Sequence, residues 1–286
     1  PDTSTHSDHV WMVGSPTSIQ GTFVGPLVAY NAAGVAGVRA PVFLRDITFS
    51  NFASTGGVGL QLEGVNGATI ERCEFTAITG LLIGKLQTNN TGVNVTKCVL
   101  EGRLSSSNST ATGIGAAVNM QGAFHYVTGF RNGDCALQMA GNVSVFRGHF
   151  ENNNTMIRTG VAPDGSSAAF MGTLYHAGGE TNQLPFDITA GTTHVTLRGC
   201  SPLGTANIYM GAGNPQHGVN CKASSGRVAM ICCSFQGAYT VSGIRLDGNG
   251  PVVPMNVTAG VKNAAGVPWI VGMSPDRVTL VNSNYP

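Results

Sequence analysis

The stretch GATIERCEFTAITGLLIGK (67–85) decides the fold, because GVNVTKCVLEG (92–102) repeats its first half about 25 residues later. Each copy has an aliphatic residue, two polar residues, a cysteine, one further residue and a large apolar residue. A short strand ending in glycine, GLLIG (80–84), follows the first copy. Alternation of apolar and polar residues predicts strands with one buried face. The glycine predicts a tight bend after each strand.

The same template recurs along most of the chain and predicts a solenoid. A turn of about 25 residues cannot bury its apolar face alone, whereas stacked turns bury a continuous column. The sequence therefore predicts one all-β domain over 1–286, a right-handed parallel β-helix of about 8–10 coils that are clearest at 43–250. WIVG (269–272) is a candidate for a ninth repeat. The template segments end at Phe52, Phe75, Leu100, Phe130, Phe150, Tyr175, Cys200 and Phe235.

Composition excludes several other classes of protein. Charged residues make up 10% of the chain, against roughly 25% in an ordinary soluble domain. A net charge of +1 with 42% hydrophobic residues fits neither a disordered chain nor a nucleic-acid-binding protein. The uncharged stretch 10–38 contains too many Gly, Pro and Ser residues for membrane insertion. No signal peptide is visible. The chain begins at Pro1 rather than Met, so we expect a processed chain or a piece of a longer one.

The two quoted segments resemble the repeat of the pectin-lyase-like superfamily of right-handed parallel β-helix proteins, over about residues 43–250. The resemblance implies the β-helix fold. It does not select a function, because the superfamily includes polysaccharide lyases, glycoside hydrolases, epimerases, adhesins and phage tailspikes. The tailspike type implies homotrimers whose rods lie side by side.

Stacking places equivalent residues of successive coils in columns. Cys73 and Cys98 should lie one above the other inside, close enough for a disulfide, although we expect free thiols. Of Cys232 and Cys233, one should point inward and one outward. The cysteines lack the paired spacing of a metal site, and no cofactor is implied. We expect one internal stack from the end residues Phe52, Phe75, Leu100, Phe130, Phe150, Tyr175 and Phe235.

Outward residues of the first repeats supply a candidate catalytic cluster. Arg72 and Lys97 should be neighbours, with Glu71 and Glu74 beside them. Lysis of a uronate polymer needs a cation and a base. Hydrolysis needs two carboxyls, for which Glu71 with Glu74, or Glu74 with Glu101, are candidates. The alternative is that these charges are solvated surface ion pairs.

A second set of outward residues is a candidate carbohydrate-binding surface. Amide, ring and guanidinium groups offer planar donors, acceptors and stacking surfaces to sugars. The alternative is an ordinary polar outer face. The candidates are Gln61, Asn119, Gln138, Arg158, Tyr209, Arg147 and His149.

These observations favour a virion appendage of the tailspike or fibre type. It would form a homotrimer at the virion surface or outside the cell and bind cell-surface polysaccharide, with or without cleaving it. Low charge and the apolar flanks at 1–42 and 251–286, which hold few charged residues, indicate packing against other copies or further coils. One alternative is a secreted polysaccharide lyase, glycoside hydrolase or epimerase. Another is a non-catalytic structural adhesin or capsid-surface protein.

Overall fold

The computed structural model describes residues 10–31, 41–86, 90–102, 113–206, 215–222, 226–248, 250–255, 257, 270–272 and 279. These residues form strands and turns. The described part of the chain holds no helix long and apolar enough to cross a membrane. The strands are, in chain order, β1 (Val10–Gly21), β2 (Gly25–Asn31), β3 (Val42–Asn51), β4 (Gly57–Glu63), β5 (Thr69–Glu71), β6 (Glu74–Ala77), β7 (Thr79–Ile83), β8 (Val93–Thr96), β9 (Val99–Gly102), β10 (Ile114–His125), β11 (Thr128–Phe130), β12 (Cys135–Phe146), β13 (His149–Glu151), β14 (Thr155–Thr159), β15 (Phe170–Tyr175), β16 (Gly178–Glu180), β17 (Leu184–Ile188), β18 (Thr192–Arg198), β19 (Ser201–Gly204), β20 (His217–Cys221), β21 (Arg227–Ile231), β22 (Gln236–Gly237), β23 (Ser242–Leu246), β24 (Val252–Met255) and β25 (Ile270–Val271).

These strands pair in parallel, each with its equivalent in the next coil, and join into a single sheet. For example, β5, β6 and β7 of one coil pair with β8, β9 and β10 of the next. The protein is therefore a right-handed parallel β-helix, as the repeat predicts. We call the faces that contain β5, β6 and β7 the first, second and third face. Strands β10 and β12 are long enough to bend from the third face into the first.

The first and second faces meet at a corner made by one residue in the left-handed backbone conformation. Left-handed residues other than glycine cost about 1–2 kcal/mol, and hydrogen bonds between coils offset that cost. The Arg72 amide, for instance, donates to the Thr96 carbonyl of the next coil at 3.0 Å. The corner residues of eight successive coils are Asp46, Arg72, Lys97, Tyr126, Arg147, His176, Gly199 and Cys232, with φ between 49° and 61°.

Residues that follow the corner fill the interior. The residue directly after it is small or aliphatic, and the residue three positions after it belongs to an internal column. The Phe49 and Phe75 rings of this column stack with centroids 5.2 Å apart and planes 3° apart. Phe75, Leu100 and Phe150 are fully buried, as predicted. Phe49, Phe75, Leu100, Gly129 and Phe150 occupy equivalent positions of successive coils.

The internal stack predicted from the sequence is wrong at three positions. Phe52 is 44% exposed, because Phe49 is the residue that points inward. Phe130 lies on the outer side, since its neighbour Gly129 holds the internal position. Tyr175 precedes the corner and lies outside. The prediction aligned the repeats on their aromatic residues, whereas the coils repeat from corner to corner. An alignment that is wrong by one residue assigns a side chain to the opposite face of its strand.

The cysteine predictions are confirmed. Cys73 and Cys98 are both buried, and the Cys73 amide donates to Cys98 Sγ at 3.4 Å. All seven thiols are free. Cys232 is the exposed corner residue, whereas Cys233 points into the core.

A ladder of buried asparagines closes the second face, and the sequence analysis missed it. Asn132 Nδ2 donates to Asn153 Oδ1 at 2.7 Å, and Asn153 Nδ2 donates to Asn182 Oδ1 at 2.8 Å. The same carboxamide oxygens accept from backbone amides, as Asn182 Oδ1 does from the Asn153 amide at 3.2 Å. These bonds satisfy buried polar groups where the chain turns away from the second face.

We predict that Asn153→Ala destabilises the fold by about 2–4 kcal/mol, because it leaves buried donors and acceptors of two neighbouring coils without partners. Chemical unfolding measures the loss. Asn94→Ala removes an exposed asparagine and serves as the control. Equal stability of the two variants would contradict a structural role of the ladder.

Candidate functional site

Side chains that precede the corner form an outward column of rings on the first face. His125, Phe146 and Tyr175 occupy equivalent positions of successive coils, and Arg198 follows them. The His125 and Phe146 rings stack with centroids 5.0 Å apart. The Phe146 and Tyr175 centroids are 6.3 Å apart, and the Arg198 guanidinium lies 5.8 Å from the Tyr175 ring centroid. We call these four residues the aromatic column.

Corner side chains of the same coils extend this surface. Tyr126 is 51% exposed, and the Arg147 guanidinium lies 5.5 Å from its ring centroid and donates to its hydroxyl at 3.2 Å. The His176 ring meets the Tyr175 ring edge-on, with centroids 4.2 Å apart. A Cβ atom at Gly199 would come within 2.7 Å of the His176 ring, so glycine makes room for this imidazole.

A groove of ≈ 490 Å³ lies beside the aromatic column, and we call it the first-face groove. Its lining includes Ile231, which holds the column position one coil after Arg198. A Cβ atom at Gly172 would collide with the Val143 carbonyl, so this coil packs closely against its neighbour beneath the groove. Small residues line its floor at Ser144, Thr173, Thr196 and Ala229. Longer side chains form the far wall at Asn142, Met171, His194 and Arg227.

The first-face groove runs along the axis of the β-helix. Its floor and its far wall are each built from equivalent positions of successive coils. Each coil therefore presents a similar set of contacts again about 4.8 Å further on. This arrangement suits a linear polymer that lies across the strands.

A smaller groove of ≈ 350 Å³ lies on the second face and includes His149, His176, Glu180 and Ser201. The His149 Nε2 atom lies 2.6 Å from Glu151 Oε1. Glu151 and Glu180 are each two residues beyond the paired residues His149 and Gly178, so they hold equivalent positions of adjacent coils. The second face thus holds two carboxyls at equivalent positions of adjacent coils, and His176 of the same groove contacts the aromatic column.

The predicted catalytic residues lie around a groove of ≈ 580 Å³ that includes Arg72, Glu74 and Lys97. Asp46, which the sequence analysis did not single out, binds Arg72 through two contacts of 2.6 Å. Glu71 lies on the first face, where it contacts Arg72 at 2.9 Å and Arg45 at 3.1 Å. The hydrogen bond from Arg72 lowers the pKa of Asp46.

These contacts are typical of surface ion pairs, which is the alternative interpretation that the sequence analysis left open for this cluster. The Arg72 guanidinium already faces two carboxylates. Glu71 and Glu74 lie on faces that diverge from the corner at Arg72. Partial burial raises the pKa of Glu101; the positive charge of Arg131 opposes this shift, and the charge of Glu74 adds to it. Glu74 with Glu101 therefore stays the better candidate pair of this region.

Two of the predicted carbohydrate-binding residues, Gln138 and Arg158, are engaged within the third face. Gln138 is only 3% exposed and donates to the Ala162 carbonyl at 2.8 Å. Arg158 binds Asp134 at 2.9 Å and 3.0 Å and approaches Asp187 at 3.4 Å. Burial disfavours its charge, but Asp134 and Asp187 hold the pKa of Arg158 above its ordinary value. The prediction that Gln138 is accessible to a carbohydrate is therefore wrong, because its side chain is buried against the segment around Ala162.

The remaining predicted sugar contacts are dispersed. Gln61 pairs in register with Leu82 and bonds to Glu63 at 3.0 Å. Asn119 points outward, but Ala117 is the residue in register with Gln138, so the predicted column is wrong at this position. Tyr209 lies outside the described residues. Only Arg147 and His149 of this set adjoin the aromatic column and the grooves beside it.

No protein-family model matches the chain. The search of curated proteins gives no match. Among solved structures, the chain is similar to tailspike protein 3 of bacteriophage CBA120, with 12% sequence identity and a TM-score of 0.49. The similarity covers 96% of this chain and 53% of that protein. The chain therefore spans about half the length of the solved structure that it matches.

Proposed function

We propose that the protein binds a polysaccharide along the first-face groove. The observation that carries this proposal is the aromatic column, whose partly exposed rings and Arg198 lie beside an open groove of ≈ 490 Å³. Aromatic rings pack against the apolar faces of sugars, and guanidinium groups donate to hydroxyls. Thr173 and Thr196 of the floor add hydroxyl groups that donate and accept.

The repeating geometry also supports a polymeric ligand rather than a small molecule. The groove is open along the helix axis, and its walls repeat from coil to coil. A linear glycan can therefore make several weak contacts at once, which raises affinity without any deep pocket.

We further propose that this surface belongs to a virion appendage of the tailspike or fibre type, assembled as a homotrimer. Seven free thiols suit a chain that folds in a reducing compartment, such as the cytoplasm of a host cell. The low charge suits a rod that packs against further copies. Analytical sedimentation should give three times the mass of one chain, and a stable monomer would contradict the homotrimer.

A second candidate function, glycoside hydrolysis, is favoured by the Glu151 and Glu180 carboxyls. Adjacent coils are about 4.8 Å apart, close to the carboxyl separation of about 5–5.5 Å in retaining glycosidases. His149 at 2.6 Å from Glu151 supplies a proton donor or acceptor to this pair. The corner residue His176 lies in the same second-face groove as Glu180 and contacts Tyr175 of the aromatic column, so the two surfaces adjoin there.

The binding proposal is tested with Tyr175→Ala against a panel of bacterial surface polysaccharides. We expect at least a tenfold weaker affinity, because an aromatic anchor is worth about 1.4 kcal/mol or more. Phe52→Ala removes another exposed ring, remote from the groove, and should bind like the unmodified protein. Binding that is unaffected by Tyr175→Ala, or no binding to any member of the panel, would overturn the proposal.

Hydrolysis is tested by following new reducing ends during incubation with the bound polysaccharide. We expect Glu180→Gln to lower the rate at least a hundredfold while binding persists, because a carboxamide cannot exchange protons as a carboxyl does. Asp164→Asn, in an exposed turn, is the control. Loss of cleavage in Glu74→Gln instead would move the activity to the Glu74–Glu101 region, and no reducing ends at all would leave a non-catalytic binding protein.

A further inference from the structure

We propose that the polysaccharide bound in the first-face groove is anionic, with acidic groups recurring along the chain as in a uronate polymer. This inference rests on the proposed function and specifies its ligand. The observation behind it is a separation of charge between two neighbouring faces of the β-helix.

The first face carries no acidic residue from Gly122 onward among the residues that the structure describes. Its strands there read GAFH (122–125), NVSVFR (142–147), FMGTLYH (170–176), TTHVTLR (192–198) and RVAMIC (227–232). The second face, across the corner, carries Glu101, Glu151 and Glu180 instead. Since the whole chain has 15 basic and 14 acidic residues, this is a local separation and not a general basic excess.

The arginines at and beside the groove differ in what they contact from four other described arginines. Arg45, Arg72, Arg158 and Arg245 each form an ion pair with Asp or Glu. Arg147, Arg198 and Arg227, by contrast, make no ion pair with any described residue. Arg147 and Arg198 contact aromatic rings, which leave their charge uncompensated.

The cations stand on both sides of the groove. Arg227 lies in the far wall, in register with His194, whereas Arg198 belongs to the aromatic column on the near side. One guanidinium on each side, with no acidic residue on the described first face between them, attracts an oppositely charged ligand. Guanidinium groups bind carboxylates through two parallel hydrogen bonds, a geometry that neutral sugars cannot provide.

A carboxylated glycan fits this groove better than a nucleic acid does. The floor consists of Ser144, Thr173, Thr196 and Ala229, which suit hydroxyl groups and offer no stacking between bases. A nucleic acid would also meet the carboxylates of the adjoining second face. We therefore assign Arg198 and Arg227, on the two sides of the groove, to the recognition of a carboxylated glycan.

The experiment compares polygalacturonate, alginate and hyaluronan oligosaccharides with their methyl esters, which keep the sugar backbone but remove its charge. We expect esterification to weaken binding at least tenfold for the glycan that binds best. The affinity for the acidic form should fall as salt is raised, because the interaction is between exposed charges. Heparin and a teichoic acid distinguish sulfate and phosphate from carboxylate as the source of the charge.

Arg198→Gln combined with Arg227→Gln should abolish the difference between the acidic and the esterified oligosaccharide. Arg245→Gln, on the third face, is the matched control and should retain the difference. Equal binding of both forms, with Tyr175→Ala weakening both, would overturn the anionic ligand while the proposed function stands. Absence of any glycan binding would overturn both proposals, and so would tighter binding to single-stranded DNA than to every glycan.

Discussion

One backbone constraint organises this molecule: in eight successive coils the chain turns from the first face to the second through a single left-handed residue. That conformation is unfavourable for side chains other than glycine, and it persists because the corner amide donates to the next coil, as His176 does to the Arg198 carbonyl at 2.9 Å. The corner fixes which residues face inward and outward. Cys73 after the corner is buried, whereas Tyr175 before a corner is outside.

The coil architecture and most of the core could be predicted from the sequence, because stacking demands the same residue type at the same place in each repeat. Cys73, Cys98 and Phe75 show this directly. The outer surface could not be predicted in the same way. On the outer surface the strand register repeats from coil to coil but the residue types do not. The predicted internal stack was aligned on aromatic residues, and it therefore placed Tyr175 inside. The signal that would have found the aromatic column is an aromatic or cationic residue directly before four successive corners, as in Phe146–Arg147 and Tyr175–His176.

Charged side chains divide into two groups with different physical roles. Arg72 with Asp46, and Arg158 with Asp134, neutralise each other and stabilise the contacts between coils. In the sequence such residues resemble candidate site residues, because the partner that neutralises each of them lies more than twenty positions away and is not recognised. Arg198 and Arg227 keep their charge on the surface and border the groove. The sequence cannot separate these two groups, because only the fold shows which carboxylates come within reach.

The asparagine ladder has a consequence for how the protein can change its length. Asn132, Asn153 and Asn182 bond to one another and to backbone carbonyls of neighbouring coils, so each coil is a unit that meets its neighbours through the same kinds of bond. Duplication of a whole unit would preserve every bond between its neighbours and add one more step to the groove. The units also differ in length, with 21 residues from Asn132 to Asn153 and 29 from Asn153 to Asn182, so a turn within a unit can change length while the ladder persists. Evolution can therefore lengthen or shorten the groove by whole coils, without redesigning any of them.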